Sequence, residues 1–173
     1  TDLLADLGLG HLTLDRPSDS LRANEIQRIR VANQILVPLS DVLYVFDEPS
    51  IGLHWHEKQR MIYHFKELVR KGNTVIVVEH DLATIKSADH IIEIGPKAGV
   101  NGGELIFNGP LSDFLQQKDL AATSPTFRAL QTTAEAFSTS KSIGKGAAIK
   151  LIGCFERNLK NIDVSFHLEQ LNV

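Results

Sequence analysis

The chain holds a single cysteine, Cys154, among 173 residues. One thiol closes no internal disulfide and supplies no cysteine cluster for zinc. A basic excess is missing too: 18 lysines and arginines stand against 21 aspartates and glutamates, for a formal net charge of -3. Free-standing nucleic-acid binders gain affinity by neutralising phosphates and releasing counterions. Any DNA contact here is therefore expected to be local, or supplied by other parts of a larger protein. No apolar run approaches the ~20 residues of a membrane span. The start, Thr1-Asp2-Leu3-Leu4-Ala5-Asp6, lacks the basic residues and apolar stretch of a secretory signal. No membrane partner is expected, and the setting predicted is reducing and cytoplasmic. The sequence begins without Met and stops at Leu171-Asn172-Val173 inside a strand pattern, as a piece cut from a longer protein would.

What is present is globular composition, 43% hydrophobic and 23% charged, in a chain long enough for one domain core. Over residues 24–37, Ile26, Ile29, Ala32 and Leu36 fall at helical spacing and predict a buried stripe. Val42-Leu43-Tyr44-Val45-Phe46 is a continuous apolar run that suits a strand buried on both faces. Met61, Ile62, Phe65, Leu68 and Val69 form a second helical stripe, stopped by Gly72-Asn73. Residues 74–78 and 90–94 are two further buried-strand runs. This alternation predicts an α/β fold, a layered parallel sheet with flanking helices. A glycine-rich turn over 95–103 precedes a strand at 105–107 and short helices near 111–116 and 125–130. Residues 132–146, rich in Ser, Thr, Gly and Lys, are the expected linker. Beyond it, 148–152 and 161–173 alternate in the manner of antiparallel strands. The organisation expected is a main part at 1–130, a linker at 131–146 and a C-terminal part at 147–173.

The chemistry concentrates where the first apolar strand ends in Asp47-Glu48-Pro49. Such a strand delivers two carboxylates to the C-terminal edge of a sheet, where α/β proteins bind ligands. In a nucleotide-hydrolysing site the first carboxylate holds Mg²⁺, usually through water, and the second orients and deprotonates the attacking water. An acidic turn after a strand is the plainer explanation of Asp-Glu alone. The context adds Ser50-Ile51-Gly52-Leu53-His54 directly after it, and a second strand ending in Val78-Glu79-His80-Asp81.

The segments LYVFDEPSIGLH, GNTVIVVEHD and ADHIIEIGPKAGVNGGE resemble the first nucleotide-binding half of the UvrA family of ABC-type ATPases. The resemblance runs from Leu7-Gly8-Leu9-Gly10 to Asn158-Leu159-Lys160-Asn161 and beyond, through the end of the first half into the start of the second. It implies ATP and Mg²⁺ as cofactors, with Asp47 the Walker B magnesium ligand through water and Glu48 the general base. It implies that His80 contacts the γ-phosphate, and that Ser50, Gly52 and His54 form the D-loop through which two ATPase halves communicate. It further implies work on damaged DNA in nucleotide excision repair, with the next repair subunit and a second copy of the full-length protein as partners. Zinc modules of the family use cysteine pairs, so no zinc is expected in this segment.

Three departures stand out. Where the family carries Leu-Ser-Gly-Gly-Glu, this chain has Leu21-Arg22-Ala23-Asn24-Glu25, a degenerate signature. The serine hydroxyl and glycine backbone that would face a γ-phosphate at a helix start are replaced. No G-x-x-x-x-G-K-[ST] phosphate loop occurs; Gly144-Lys145-Gly146 lacks both the earlier glycine and the following hydroxyl. Both phosphate loops are expected in the remaining UvrA-like chain. Glu169 stands where the family has a turn glycine. Against an ATPase fragment stand a non-hydrolysing relic acting as a scaffold, and a drug self-resistance protein acting on drug-loaded DNA. Intact Asp47, Glu48 and His80 favour the ATPase. Of the remaining polar groups, His54, His56 and His64 fit an exposed helix start better than a metal site. Arg16, Arg22, Arg28 and Arg30 are expected to be solvated or paired with Asp15, Asp19 and Glu25 rather than facing DNA.

Overall fold

The computed structural model describes residues 2–37, 39–97, 102–132, 147–157 and 159–173. It divides into two compact units, Thr1–Ser87 and Ala88–Val173. The predicted linker lies outside the described residues, apart from the two that end its preceding helix, and so does Gly144-Lys145-Gly146.

The first unit contains helix α1 (Asp2–Asp6), a 3-10 turn at Ser18–Ser20, α2 (Ala23–Leu36), strand β1 (Leu43–Asp47), α3 (Trp55–Arg70), β2 (Thr74–Val78) and α4 (Leu82–Ser87). Strands β1 and β2 pair in parallel, Tyr44 opposite Val75 and Phe46 opposite Val77. Those four residues share one face, and all are buried. Helix α3 covers that face with Met61, Phe65 and Leu68, and the Phe46 and Phe65 rings stack at 4.6 Å. The stripe predicted for α3 is therefore its buried face. Its C-terminus closes as a Schellman motif: the Asn73 N–H donates to the Leu68 carbonyl and the Gly72 N–H to that of Val69. The buried Asn73 side chain then accepts from the Val42 N–H at 3.1 Å and donates to the carbonyls of Leu39 and Leu68, tying the helix end to the start of β1.

Two expectations for this unit are corrected. Strand β1 is buried on one face only: Leu43 and Val45 are 42% and 54% exposed, and Val78 of β2 is 53% exposed. Helix α3 covers one side of the pair, and no described element seals the other. The buried residues of α2 are Glu25, Arg28, Val31 and Ala32, whereas Leu36 is exposed. The helix is turned so that two charged side chains face inward, for reasons that lie in the site.

The second unit contains β3 (His90–Gly95), β4 (Glu104–Pro110), α5 (Leu111–Gln116), a 3-10 turn at Lys118–Ala121, α6 (Pro125–Thr132), β5 (Ala148–Cys154), β6 (Ile162–His167) and β7 (Leu171–Asn172). Phe114 is fully buried, edge-on to Phe107 and Phe127, and pins α5 and α6 to β4. Strands β3 and β4 are antiparallel, as are β5 and β6. Residues 161–173 do not continue as one antiparallel strand. After β6 the chain turns at Glu169, φ 56°, and β7 pairs in parallel with β3. The turn that the family builds with glycine thus forms with Glu169 in the left-handed region, where a side chain costs about 1–2 kcal/mol. Asn172 offsets part of this by exchanging hydrogen bonds with the backbone of His167 and donating to the Gln170 carbonyl. Mixed α/β units with parallel strands, flanking helices and antiparallel strands at the C-terminal end are what the alternation predicts. No helix among the described residues is long and apolar enough to cross a membrane.

Candidate functional site

Parallel pairing brings the C-terminal ends of β1 and β2 to one edge, with Asp47 opposite Val78. The residues that follow each strand therefore emerge side by side. The Glu48 N–H donates to the Val78 carbonyl at 2.9 Å, and Glu48 Oε1 lies 3.6 Å from His80 Nδ1. That is beyond a direct hydrogen bond, and both side chains are open to solvent, at 45% and 75% exposure. Glu48 has φ 45°, sparsely populated for a non-glycine residue and typical of strain held at functional sites. Asp47 is exposed, and among the described residues its carboxylate has no hydrogen bond or ion pair. No group of three or more His, Cys, Asp or Glu suited to a metal occurs among the described residues. One free carboxylate still fits magnesium, which keeps several waters and takes its other oxygens from phosphates.

The residues expected to form the D-loop follow. Ser50 and Leu53 are buried, Gly52 takes φ 71°, and His54 is the exposed N-cap of α3. In the signature segment Leu21 closes the 3-10 turn and Arg22 is the N-cap of α2. Both helices start alike: the third-residue glutamate reaches back to the N-cap N–H, Glu25 to Arg22 and Glu57 to His54, each at 2.8 Å. An arginine side chain has no acceptor to complete the reciprocal bond. A polar cleft of about 250 Å³ opens between the two helix starts, lined by His11, Arg22, Asn24, Glu25, Gly52 and His54 among others. The segments expected to be signature and D-loop thus line one cleft, while Asp47, Glu48 and His80 gather at the strand edge.

Three residues stand at the centre of this arrangement: Gln27 and Glu79, to which the sequence assigned no role, and Arg28, which it assigned a different one. Gln27 Nε2 donates to the carbonyls of Asp47, at 2.7 Å, and Glu48. Arg28 is 7% exposed and its Nη2 donates to the carbonyls of Ile51 and Gly52. It is neither solvated nor paired with an acid, which corrects the expectation for this arginine. Arg16 does fit that expectation, lying 3.9 Å from Glu25 and bonding to Ser20. Glu79 accepts from the Ser50 N–H through one carboxylate oxygen and from the His80 and Asp81 N–H groups through the other. A glutamate between a strand and the candidate histidine was the available signal. Of the other histidines, His64 lies 3.0 Å from Asp6.

Two carboxylates here sit below their ordinary range. For Glu25 the main cause is the Arg22 N–H, then the His11 contact; burial opposes them, and Arg16 and Arg22 add attraction. For Asp81 burial pushes upward, but the Lys58 ammonium and the Thr84 N–H and hydroxyl outweigh it. A depressed folded-state value means stability present in full above the unfolded carboxylate range and lost as pH falls through the folded value. The midpoint of urea unfolding should therefore drop steeply on acidification below about pH 4. Lys58→Met should flatten that dependence by removing the Asp81 share. Identical pH slopes in the two proteins would show that the ion pair contributes nothing.

No protein-family model matches the chain. The chain is 46% identical over 169 residues to the UvrABC system protein A of a Synechocystis strain, covering 97% of this chain and 17% of that protein. It is 52% identical over 119 residues to its namesake in Helicobacter pylori, covering 69% of this chain and 13% of that protein. The crystal structure of UvrA2 from Deinococcus radiodurans superposes with a TM-score of 0.67 at 37% identity, over 96% of this chain and 20% of that one. The chain thus spans about 17% of the length of the first relatives it matches. Matched along nearly its whole length in both sequence and fold, the chain belongs to the UvrA family.

Proposed function

We propose that this chain supplies the Walker B, D-loop and switch elements of an ATP-hydrolysing, UvrA-type damage-recognition protein in nucleotide excision repair. The observation that carries this is Glu48 and His80 held 3.6 Å apart beside a free Asp47 at the end of two parallel strands. Asp47 would hold magnesium through water, and the ion, when bound, neutralises charge on the phosphate oxygens. Glu48 orients and deprotonates the attacking water, and His80 steadies the charge that builds on the transferring phosphoryl group. Residues 1–130 belong to the first ATPase half and 147–173 to the start of the second, with 131–146 linking them. The remaining chain supplies both phosphate loops. Damaged DNA, the next repair subunit and a second copy of the protein are the partners. Phosphate release from a complete UvrA-type chain carrying this segment, in millimolar Mg-ATP, tests the reading. No release, with both phosphate loops intact, would point instead to a non-hydrolysing scaffold.

The altered signature makes a separate prediction. Asn24 leans over the D-loop: its Nδ2 would lie 3.3 Å from a side-chain carbon at Gly52. In the proposed assembly this helix start faces the phosphate loop of the other half. Replacing Arg22→Ser, Ala23→Gly and Asn24→Gly together opens the cleft and aims backbone donors into it. Turnover should rise several-fold, since oriented helix-terminal donors stabilise the transferring group. Two glycines in the first turn weaken α2 by about 1 kcal/mol each at most. A fall in turnover without a matching fall in melting temperature would instead make Arg22 a working phosphate ligand.

A further inference from the structure

The D-loop and the switch histidine lie on separate segments, one after β1 and one after β2. Between them stands Glu79, half-buried, with its two carboxylate oxygens divided between the two loops. Oε1 takes the Ser50 N–H at 2.8 Å, whereas Oε2 takes the N–H groups of His80 and Asp81 at 3.2 and 3.3 Å. All three donors are backbone amides, so the link does not depend on which side chains the loops carry. It depends on a group with two acceptor oxygens at this one position. A second brace runs parallel to it: Lys58, in the first turns of α3, pairs with Asp81 at 2.5 Å. Asp81 in turn accepts from Thr84 at the start of α4. The segment bearing His80 is thus fastened from two sides to the D-loop and to the helix that the D-loop opens.

We propose that Glu79 is a positioning residue that locks the D-loop to the switch segment, so that a shift at Ser50 is carried to His80 and sets its place beside Glu48. The role rests on the hydrolytic reading above. Backbone amides on two loops that share the two oxygens of one rigid carboxyl group are tied to each other through it, because neither oxygen can shift without the other. Whatever the D-loop meets in the assembled protein then reaches the γ-phosphate site without a side chain of its own passing through it.

Glu79→Gln tests this. Glutamine matches the shape but has one acceptor oxygen, and its amide nitrogen would face an N–H. It can hold one loop and must release the other. In the 173-residue chain, amide hydrogen exchange at Ser50, or at His80 and Asp81, should speed up roughly 10- to 100-fold. Exchange at Val75 and Val77 in the strand should stay as it was. In a complete UvrA-type chain, kcat for ATP should fall about tenfold or more with KM within about twofold, the mark of an interaction made in the transition state. Glu79→Asp, too short to span both loops, should behave like the glutamine variant. Unchanged exchange at all three amides, or an unchanged kcat in a chain that hydrolyses ATP, overturns the proposal. If the unmodified complete chain releases no phosphate, the hydrolytic reading falls by itself, and the exchange result still decides whether Glu79 joins the loops.

Discussion

Glu48→Gln in a complete UvrA-type chain carrying this segment should lower steady-state ATP turnover by about 10²–10⁴-fold, the usual contribution of a general base. The substitution changes one atom at a site whose backbone is fixed from both sides. The Glu48 N–H is held by the Val78 carbonyl, and its own carbonyl by Gln27. Glutamine therefore occupies the same place and can still orient a water, but cannot take its proton. Stability should hardly move, because the facing side chains are 45% and 75% exposed and such surface pairs contribute about 0–1 kcal/mol. KM for ATP should hold as well, since in the proposed function magnesium and the phosphates are met by Asp47 and by the phosphate loop of the remaining chain. Phosphate release, ATP binding and a thermal melt on the same preparations separate these effects. Turnover within about threefold of the unmodified protein would remove Glu48 from the base role, as so small a loss is far below what a base supplies.

Much of this arrangement was legible in the sequence, for reasons that differ from element to element. The stripe of α3 and the runs of β1 and β2 follow hydrophobic periodicity, and the buried face of the unit is assembled from them. The places of Asp47, Glu48 and His80 were legible because a strand end dictates where its next residue goes. Parallel pairing then brings two such ends together without any further signal. The face of α2 was not legible. Periodicity assigns it to Ile26, Ile29, Ala32 and Leu36; the helix buries Ala32 as expected, but with Glu25, Arg28 and Val31 in place of the other three. Glu25 turns inward to cap its own helix at Arg22 and to meet the His11 and Arg16 side chains. Arg28 instead holds backbone carbonyls of a distant loop, and a hydrogen bond to backbone leaves no trace in the partner's identity. The same holds for Glu79, whose three contacts are all main-chain amides. Strand β1 misled in the opposite way: a continuous apolar run promises two covered faces, and only one is covered among the described elements. Strand β7 misled because alternation shows which face a residue takes, never which neighbour the strand chooses.

Arg28→Leu should lower the melting temperature of the 173-residue chain by roughly 5–15 °C, the equivalent of about 2–4 kcal/mol in a protein of this size. Arg28 lies between two tight turns. Its Nη2 holds the carbonyls of Ile51 and Gly52, and a side-chain carbon at Gly8, φ 72°, would lie 2.9 Å from its Nη1. The opposing effect is real: Arg28 is 7% exposed and its Nε is buried without a partner. Exchanging a buried charge for an apolar side chain is often neutral when both members of a pair are replaced. Here the partners are main-chain carbonyls that no substitution removes, so leucine leaves them unpaired and a loop unanchored. That loss exceeds the desolvation regained. Arg28→Lys should recover only part of it, since an ammonium is more strongly hydrated than a guanidinium and costs more to bury at this position. Amide exchange across 51–53 should quicken in both variants, and more in leucine than in lysine. A leucine variant melting within about 2 °C of the unmodified chain would show that the guanidinium regains no more than its desolvation cost, and that other contacts hold residues 50–54 in place.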